Sequence, residues 1–327
     1  MPEVSLVVCL CRQHDLLTRL LQRTDGCYDD LVVVHDGAFE DGQTDKNEKP
    51  AAIDYSALSP EESLPLGYRV PSLPPKPGSI HALVHEHGGR YFEGGRSFQQ
   101  EPHWPFAWAQ SRNDWILRLD TDEFPSDELQ GWLREFRTAP EPATAISGYT
   151  CIWPLWNGRR MVTKRWPTGR IFLCHKQRVR FFGMAEQVPV ADTNFEQLGL
   201  ALHHRPKRKS YGIRNILFRK QAYHWRRVIA QSLLKNPTEL PRWRWPFKRW
   251  PHEWEQIRSA PLRTASTRLV TWPFYTAREA LRHREFPYLS LVVQSGLHHF
   301  LICLEYIRAR KRARTRPQLN TPLTGAS

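Results

Sequence analysis

The stretch Asp114-Trp-Ile-Leu-Arg-Leu-Asp-Thr-Asp-Glu-Phe-Pro-Ser126 decides the fold. Trp115 to Leu119 reads as a buried strand, and its carboxyl end delivers Asp120-Thr121-Asp122-Glu123. Pro125 and Ser126 then open a helix with Leu129, Trp132, Leu133 and Phe136 on one face. Residues i and i+2 of an extended segment point to the same side, so Asp120 and Asp122 converge on one divalent cation at a strand end. Oxygen-only ligands suit Mn2+ or Mg2+, and either ion bridges the diphosphate of an activated substrate. A D-x-D taken alone is common and usually solvated. The apolar strand before it and the capped helix after it give this one weight.

Upstream, Val4 to Leu10 is a continuous apolar run of buried-strand length. Leu16, Leu17, Leu20 and Leu21 follow at helical spacing, and Leu31 to Val34 gives a second apolar run. This is a βαβ opening, which crosses over right-handedly and starts a parallel sheet whose ligand crevice lies at the carboxyl ends of its strands. His35-Asp36-Gly37 brings an acidic side chain and a turn residue to that crevice. Residues 43–79 carry seven prolines from Pro50 to Pro77 and read as an inserted surface loop. The spacing predicts a third strand at Ile80 to Val84.

Downstream, short strands are expected at Ala145 to Ile152, Ile171 to Cys174, Val179 to Phe182 and Leu198 to His203, then an amphipathic helix from about Tyr211 to Leu234. The class is α/β: a Rossmann-like, mixed but mostly parallel sheet flanked by helices, with a C-terminal amphipathic helical extension. Arg96, after Gly94-Gly95, and Arg170 are candidate phosphate contacts, because a guanidinium binds phosphate oxygens bidentately.

The charge is uneven. The 327 residues carry a net +14, and Leu240 to Arg316, with 16 basic and 5 acidic residues, supplies +11 of it. An ordinary catalytic domain with a basic appendage is therefore expected, directed at an anionic partner. The appendage is rich in Trp, Arg and Pro, then turns apolar from Phe286 to Ile307 before a basic cluster at Arg308 to Arg316. Gln294, His298, His299 and Glu305 make a lipid-facing span costly. The favoured reading is a helix in the membrane interface with its arginines on anionic lipid, and the alternative is a final helix packed on the domain. The division is thus 1–236 catalytic, 237–316 basic and membrane-associating, and 317–327 a disordered tail. Six scattered cysteines without C-x-x-C pairs, and a start without a secretory signal, place the expected activity in the cytoplasm.

These motifs resemble family 2 glycosyltransferases of GT-A fold. Asp114 to Ser126 is similar to that family's D-x-D-E segment, particularly in the branch like lipopolysaccharide-core glucosyltransferases. His35-Asp36-Gly37-Ala38-Phe39-Glu40-Asp41-Gly42 resembles its second-strand motif. The resemblance covers roughly Val4 to Leu234 and implies that Asp36 and Asp120 contact the nucleotide sugar. It implies Glu186, after the arginine-led strand at Arg170, as the general base on the acceptor hydroxyl, although Ala185 stands where the branch often has His. One of His203 and His204 is implied at the metal or diphosphate. Two further departures are Cys11-Arg12-Gln13 at the first strand's exit and a long segment from Arg90 to Arg112.

The Trp272-Pro-Phe-Tyr275 stretch also resembles a segment that precedes a membrane-attached end in that branch. The resemblance implies inverting transfer of a hexose, UDP-linked by preference, to a lipid-linked or lipopolysaccharide acceptor at the inner face of the plasma membrane. Two other classes compete. A nucleic-acid-binding protein would use the Arg/Trp-rich end to grip phosphates and stack bases, but no recognised motif accompanies it and no nucleic acid partner is expected. A nucleotidyltransferase would carry a Gly-rich phosphate loop near the N-terminus, which Leu10 to Leu16 lacks.

Overall fold

The first apolar run forms strand β1 (Val4–Leu10), with every residue buried. The structure is a computed structural model. It describes residues 1–11, 13–37, 67–72, 74–95, 100–180, 190–191, 193–206, 217–218, 226–227, 229–230, 233–234, 250–286 and 288–315. Because side chains alternate along a strand, β1 divides its residues between two cores. Val4, Leu6, Val8 and Leu10 join one, Val7 and Cys9 the other. Helix α1 (His14–Arg23) covers the first face with Leu16, Leu17, Leu20 and Leu21, each contributing about 2 kcal/mol of burial.

Strand β2 (Asp30–Asp36) pairs parallel with β1, as the βαβ reading requires. The expected strand at Ile80 to Val84 is instead helix α2 (Ile80–Glu86). Ser79 Oγ accepts the Ala82 amide at 3.0 Å and so caps it. Ile80, Leu83 and Val84 then fall on one buried helical face. Five apolar-rich residues fit either period, and here the cap decides. The third strand is β3 (Arg90–Gly94), parallel to β2.

Helix α3 (Trp104–Gln110) packs Trp104, Ala107 and Trp108 on the second face. Strand β4 (Trp115–Arg118) returns to the other side of β1, again parallel. Strand β5 (Glu123–Pro125) leads into helix α4 (Asp127–Thr138). Ser126 Oγ caps that helix by accepting Leu129 N at 3.2 Å, worth about 1 kcal/mol. Strands β6 (Ile146–Ile152), β7 (Arg170–His175) and β10 (Asn194–His204) complete an eight-stranded sheet of order β3-β2-β1-β4-β7-β6-β10-β5, and β8 (Val179–Arg180) and β9 (Val190–Ala191) form a separate ribbon. Only β7 and β5 run against the rest. The expected Rossmann-like, mostly parallel mixed sheet flanked by helices is met.

Of the expected helix from Tyr211 to Leu234, residues 217–218, 226–227 and 229–230 are helical and most others lie outside the described residues. So do residues 38–66 of the Pro-rich loop region, 181–182 of the expected strand, and 316–327. The C-terminal extension is helical: α5 (Trp250–Ser259), α6 (Pro261–Arg282) and α7 (Leu289–Thr315). The apolar segment is not alone, since α7 packs along α6. Gly296 sits where a Cβ would meet the Leu269 carbonyl at 2.7 Å. Ala280, Tyr288 and Leu291 reach back to Leu155 and Trp166 in the segment between β6 and β7. Among the described residues, no helix is long and apolar enough to cross a membrane.

Candidate functional site

The strand order reverses at β1. Strands β2 and β3 lie to one side and β4 to the other, and such a switch point opens a crevice at the carboxyl ends of the strands. The Asp120–Glu123 turn forms there. Glu123 N donates to the Asp120 carbonyl at 2.9 Å, and Asp120 N donates to Glu123 Oε2, also at 2.9 Å. Thr121 Oγ1 donates to Gln13 Oε1, which ties the turn to the exit of β1. The antiparallel β5–β10 pairing then sets His204 opposite Glu123 and His203 opposite Phe124.

Asp120 and Glu123 share one cation. Arg170 NH2 donates to Glu123 Oε2 at 2.9 Å and to Asp120 Oδ2 at 3.1 Å. Burial, compounded by the neighbouring Glu123 carboxylate, pushes the Asp120 carboxyl well above its ordinary value. The two carboxylates raise Arg170 against the opposing effect of its burial. Below the turn, the buried Arg118 lies 4.7 Å from the centre of the Trp104 ring. Burial and then Arg170 hold Arg118 below its ordinary basicity.

Asp122 Oδ2 lies 3.3 Å from His204 Nε2. The His204 ring stacks on Trp153 at 4.4 Å between centres, and the Arg170 guanidinium lies 5.6 Å from the same Trp153 ring. Four of the candidate residues, Asp120, Asp122, Arg170 and His204, are therefore drawn together. Arg170, expected on phosphate, is engaged by carboxylates.

Among the described residues, no group of three or more His, Cys, Asp or Glu side chains is gathered to hold a metal ion. Two carboxylates nevertheless fit a magnesium- or manganese-type ion, which takes one or two protein carboxylates and completes its shell with phosphate oxygens and water. Asp120 Oδ1 agrees with that role: it is buried and has no hydrogen-bond partner among the described residues.

The other expected residues lie elsewhere. Asp36 ends β2 with Oδ1 3.0 Å from Nε2 of the fully buried His103, whose Nδ1 lies 3.1 Å from Tyr68 Oη. A side chain on Gly94 would collide with His103 at 2.9 Å, so that glycine makes the contact possible. His203 faces away from Asp122 and takes a hydrogen bond from Arg205 at 3.3 Å on Nδ1. Arg96 and Glu186 lie outside the described residues.

The sequence reading missed Gln13, His103, Trp153 and Arg118. An arginine inside an apolar strand, two residues before Asp120 and so on its face, was a usable signal for Arg118. Nothing local marks the other three, which act across 108, 67 and 51 residues of chain from Thr121, Asp36 and His204.

No protein-family model and no curated protein matches the chain. Similar solved structures include a mannosyltransferase from Pyrobaculum calidifontis in complex with GDP-Man and Mn2+, at 11% identity, 94% and 87% coverage of the two chains and TM-score 0.47. S. aureus TarS 1-349 in complex with UDP-GlcNAc is similar at 10% identity, 96% and 92% coverage and TM-score 0.38. Glucosyl-3-phosphoglycerate synthase from Mycobacterium tuberculosis, with Mn2+, UDP-Glc and phosphoglyceric acid, is similar at 13% identity, 71% and 79% coverage and TM-score 0.37. At these identities no residue role carries over.

Proposed function

We propose that the chain is a metal-dependent glycosyltransferase of GT-A fold, family 2 type, spanning residues 1–236, that moves a sugar from a nucleotide-sugar donor to an acceptor hydroxyl with inversion. The observation that carries this reading is the buried Oδ1 of Asp120, without a hydrogen-bond partner among the described residues, beside Asp122 at the switch point of a mostly parallel sheet. Asp120 and Asp122 are the residues that would hold Mn2+ or Mg2+, whose chemistry is to neutralise the departing diphosphate. Arg170, itself held by Glu123, fixes the Asp120 carboxylate, and Trp153 holds His204 against Asp122. A rigid frame of this kind lowers the cost of reorganisation when charge develops on the leaving group. Asp36 is assigned to the nucleotide, as the sequence resemblance implies, and Arg96 to its phosphates. Glu186 is assigned to remove the acceptor proton.

The acceptor proposed is a lipid-linked or lipopolysaccharide-type saccharide, and the donor a UDP-hexose. Residues 237–316 would hold the enzyme on the cytoplasmic face of the membrane, because the α6–α7 pair exposes apolar side chains among arginines.

The test is nucleotide release from UDP-, GDP-, dTDP- and CMP-sugars, with manganese or with chelator, for wild type and Asp122→Ala, with membrane extract as acceptor. Metal-dependent release from one donor, lost in the variant, is expected. No release from any donor would overturn the reading.

A further inference from the structure

Behind the metal turn, on the outer side of β5, lies a second cavity of about 260 Å3, lined by Arg19, Gln22, Arg23, Phe124, His203 and Arg205. Arg19 and Arg23 are four residues apart on α1 and so share a face, where like charges repel. Arg205 joins them from the end of β10. All three guanidinium-bearing side chains line the one cavity.

Their compensation is thin. Asp127 pairs with Arg23 at 2.8 Å, whereas neither Arg19 nor Arg205 has an ion pair among the described residues. Arg19 lies 5.2 Å from the Phe124 ring centre and Arg205 lies 5.8 Å from that of Trp156. Arg205 Nε is buried without a hydrogen-bond partner among the described residues. Asp127 and Glu128 lie near His203 at its edge, so three guanidinium groups around an aromatic floor, with a donor unspent, leave the cavity with more cations than carboxylates.

We propose that this cavity binds a phosphate group, free or carried as a monoester on a larger ligand. Arg19 and Arg205 supply the principal donors, and Arg23 adds charge from its pair with Asp127. The cavity differs from the metal site in residues and in the face of β5 it uses, since His203 and His204 alternate across the strand. The two are nevertheless joined. The Arg205 amide donates to the Asp122 carbonyl at 2.7 Å, so an anion gripping Arg205 bears on the backbone of the metal turn.

Calorimetric titration of the full chain with inorganic phosphate, in chelator, tests this directly. Wild type should bind saturably at millimolar concentration or below. Arg19→Gln and Arg205→Gln should each weaken binding by about tenfold, the loss of one charge-assisted hydrogen-bonding partner. Arg19 is exposed on α1, so its variant keeps the test valid if the Arg205 variant folds poorly. Glucose 6-phosphate binding more tightly than inorganic phosphate would mark a carried group, and the reverse order a free ion. Absence of saturable binding, or equal binding by wild type and both variants, overturns the proposal.

Discussion

Arg170 NH2 lies 2.9 Å from Oε2 of Glu123, a carboxylate with no exposed surface. The arginine's countercharge is therefore fixed before any ligand arrives, and the same nitrogen still reaches Asp120. Replacing Glu123 with Gln keeps the shape but leaves Arg170 with one carboxylate, and it removes the charge that opposes ionisation of Asp120. Breaking a buried pair of this kind costs about 3 kcal/mol. Urea unfolding of Glu123→Gln should show a loss of that order at unchanged m-value, and an unchanged midpoint would show the pair to be dispensable.

Trp153 stands between the two halves of the site, stacked on His204 and near the Arg170 guanidinium. An aromatic stack and a cation–π contact together are worth about 2 kcal/mol. Trp153→Ala should weaken manganese-dependent nucleotide binding by about tenfold or more, and Trp153→Phe should restore most of it. Equal affinity for all three proteins would place Trp153 outside the site.

How far the site was legible follows from these contacts. The apolar run, the paired aspartates and the Ser126 cap are neighbours in sequence, so strand, turn and helix could be read locally. The pairing of β5 with β10 joins residues about 80 apart and sorts His203 from His204 by strand alternation, which depends on a register the sequence does not display. Ile80 to Val84 is helical rather than a strand because a five-residue apolar run satisfies both periods and the Ser79 cap decides between them. The α6–α7 pairing was missed for a similar reason. The close approach at Gly296 depends on Leu269 and Pro273, more than 20 residues earlier.

Asp30 offers a pH dependence. Burial alone would raise its carboxyl, but hydrogen bonds from the Arg112 amide, the Arg90 guanidinium and the Ser5 hydroxyl outweigh burial and hold it below the ordinary 3.8. As pH falls, the unfolded chain takes up this proton first. The stabilisation is therefore complete above the unfolded value of 3.8 and disappears as pH drops through the lower folded value. Asp30→Asn should lose about 3 kcal/mol at neutral pH and show a flatter acid limb than wild type in denaturation followed by circular dichroism. Parallel acid limbs would assign the dependence to other groups.

The α6–α7 contact tolerates no side chain at Gly296. A Cβ there would lie 2.7 Å from the Leu269 carbonyl and 2.8 Å from the Pro273 ring, and neither group is a flexible side-chain end. Overpacking of this kind costs about 1–3 kcal/mol. Gly296→Val should therefore lower the melting temperature and open the helix pair to hydrogen exchange, while Gly131→Ala, where nothing lies within 4 Å of the added carbon, should not.

The outer surface of the same helices and of the turn between them tests the proposed placement at a membrane. Leu262 is 65% exposed, Phe274 73%, Leu281 62%, Phe286 90% and Leu289 74%. Arg278, Arg282, Arg308 and Arg312 on the same two helices are exposed as well. Each large apolar side chain taken from water contributes about 2 kcal/mol, and each arginine near anionic headgroups about 1 kcal/mol. Wild type should co-sediment with vesicles containing phosphatidylglycerol, more weakly with pure phosphatidylcholine, and less at high salt. Phe274→Asp with Phe286→Asp should abolish most of this binding without altering nucleotide binding, since both side chains are largely exposed and neither belongs to the metal turn. Retention of full vesicle binding by the double variant would mean that this face does not meet the lipid.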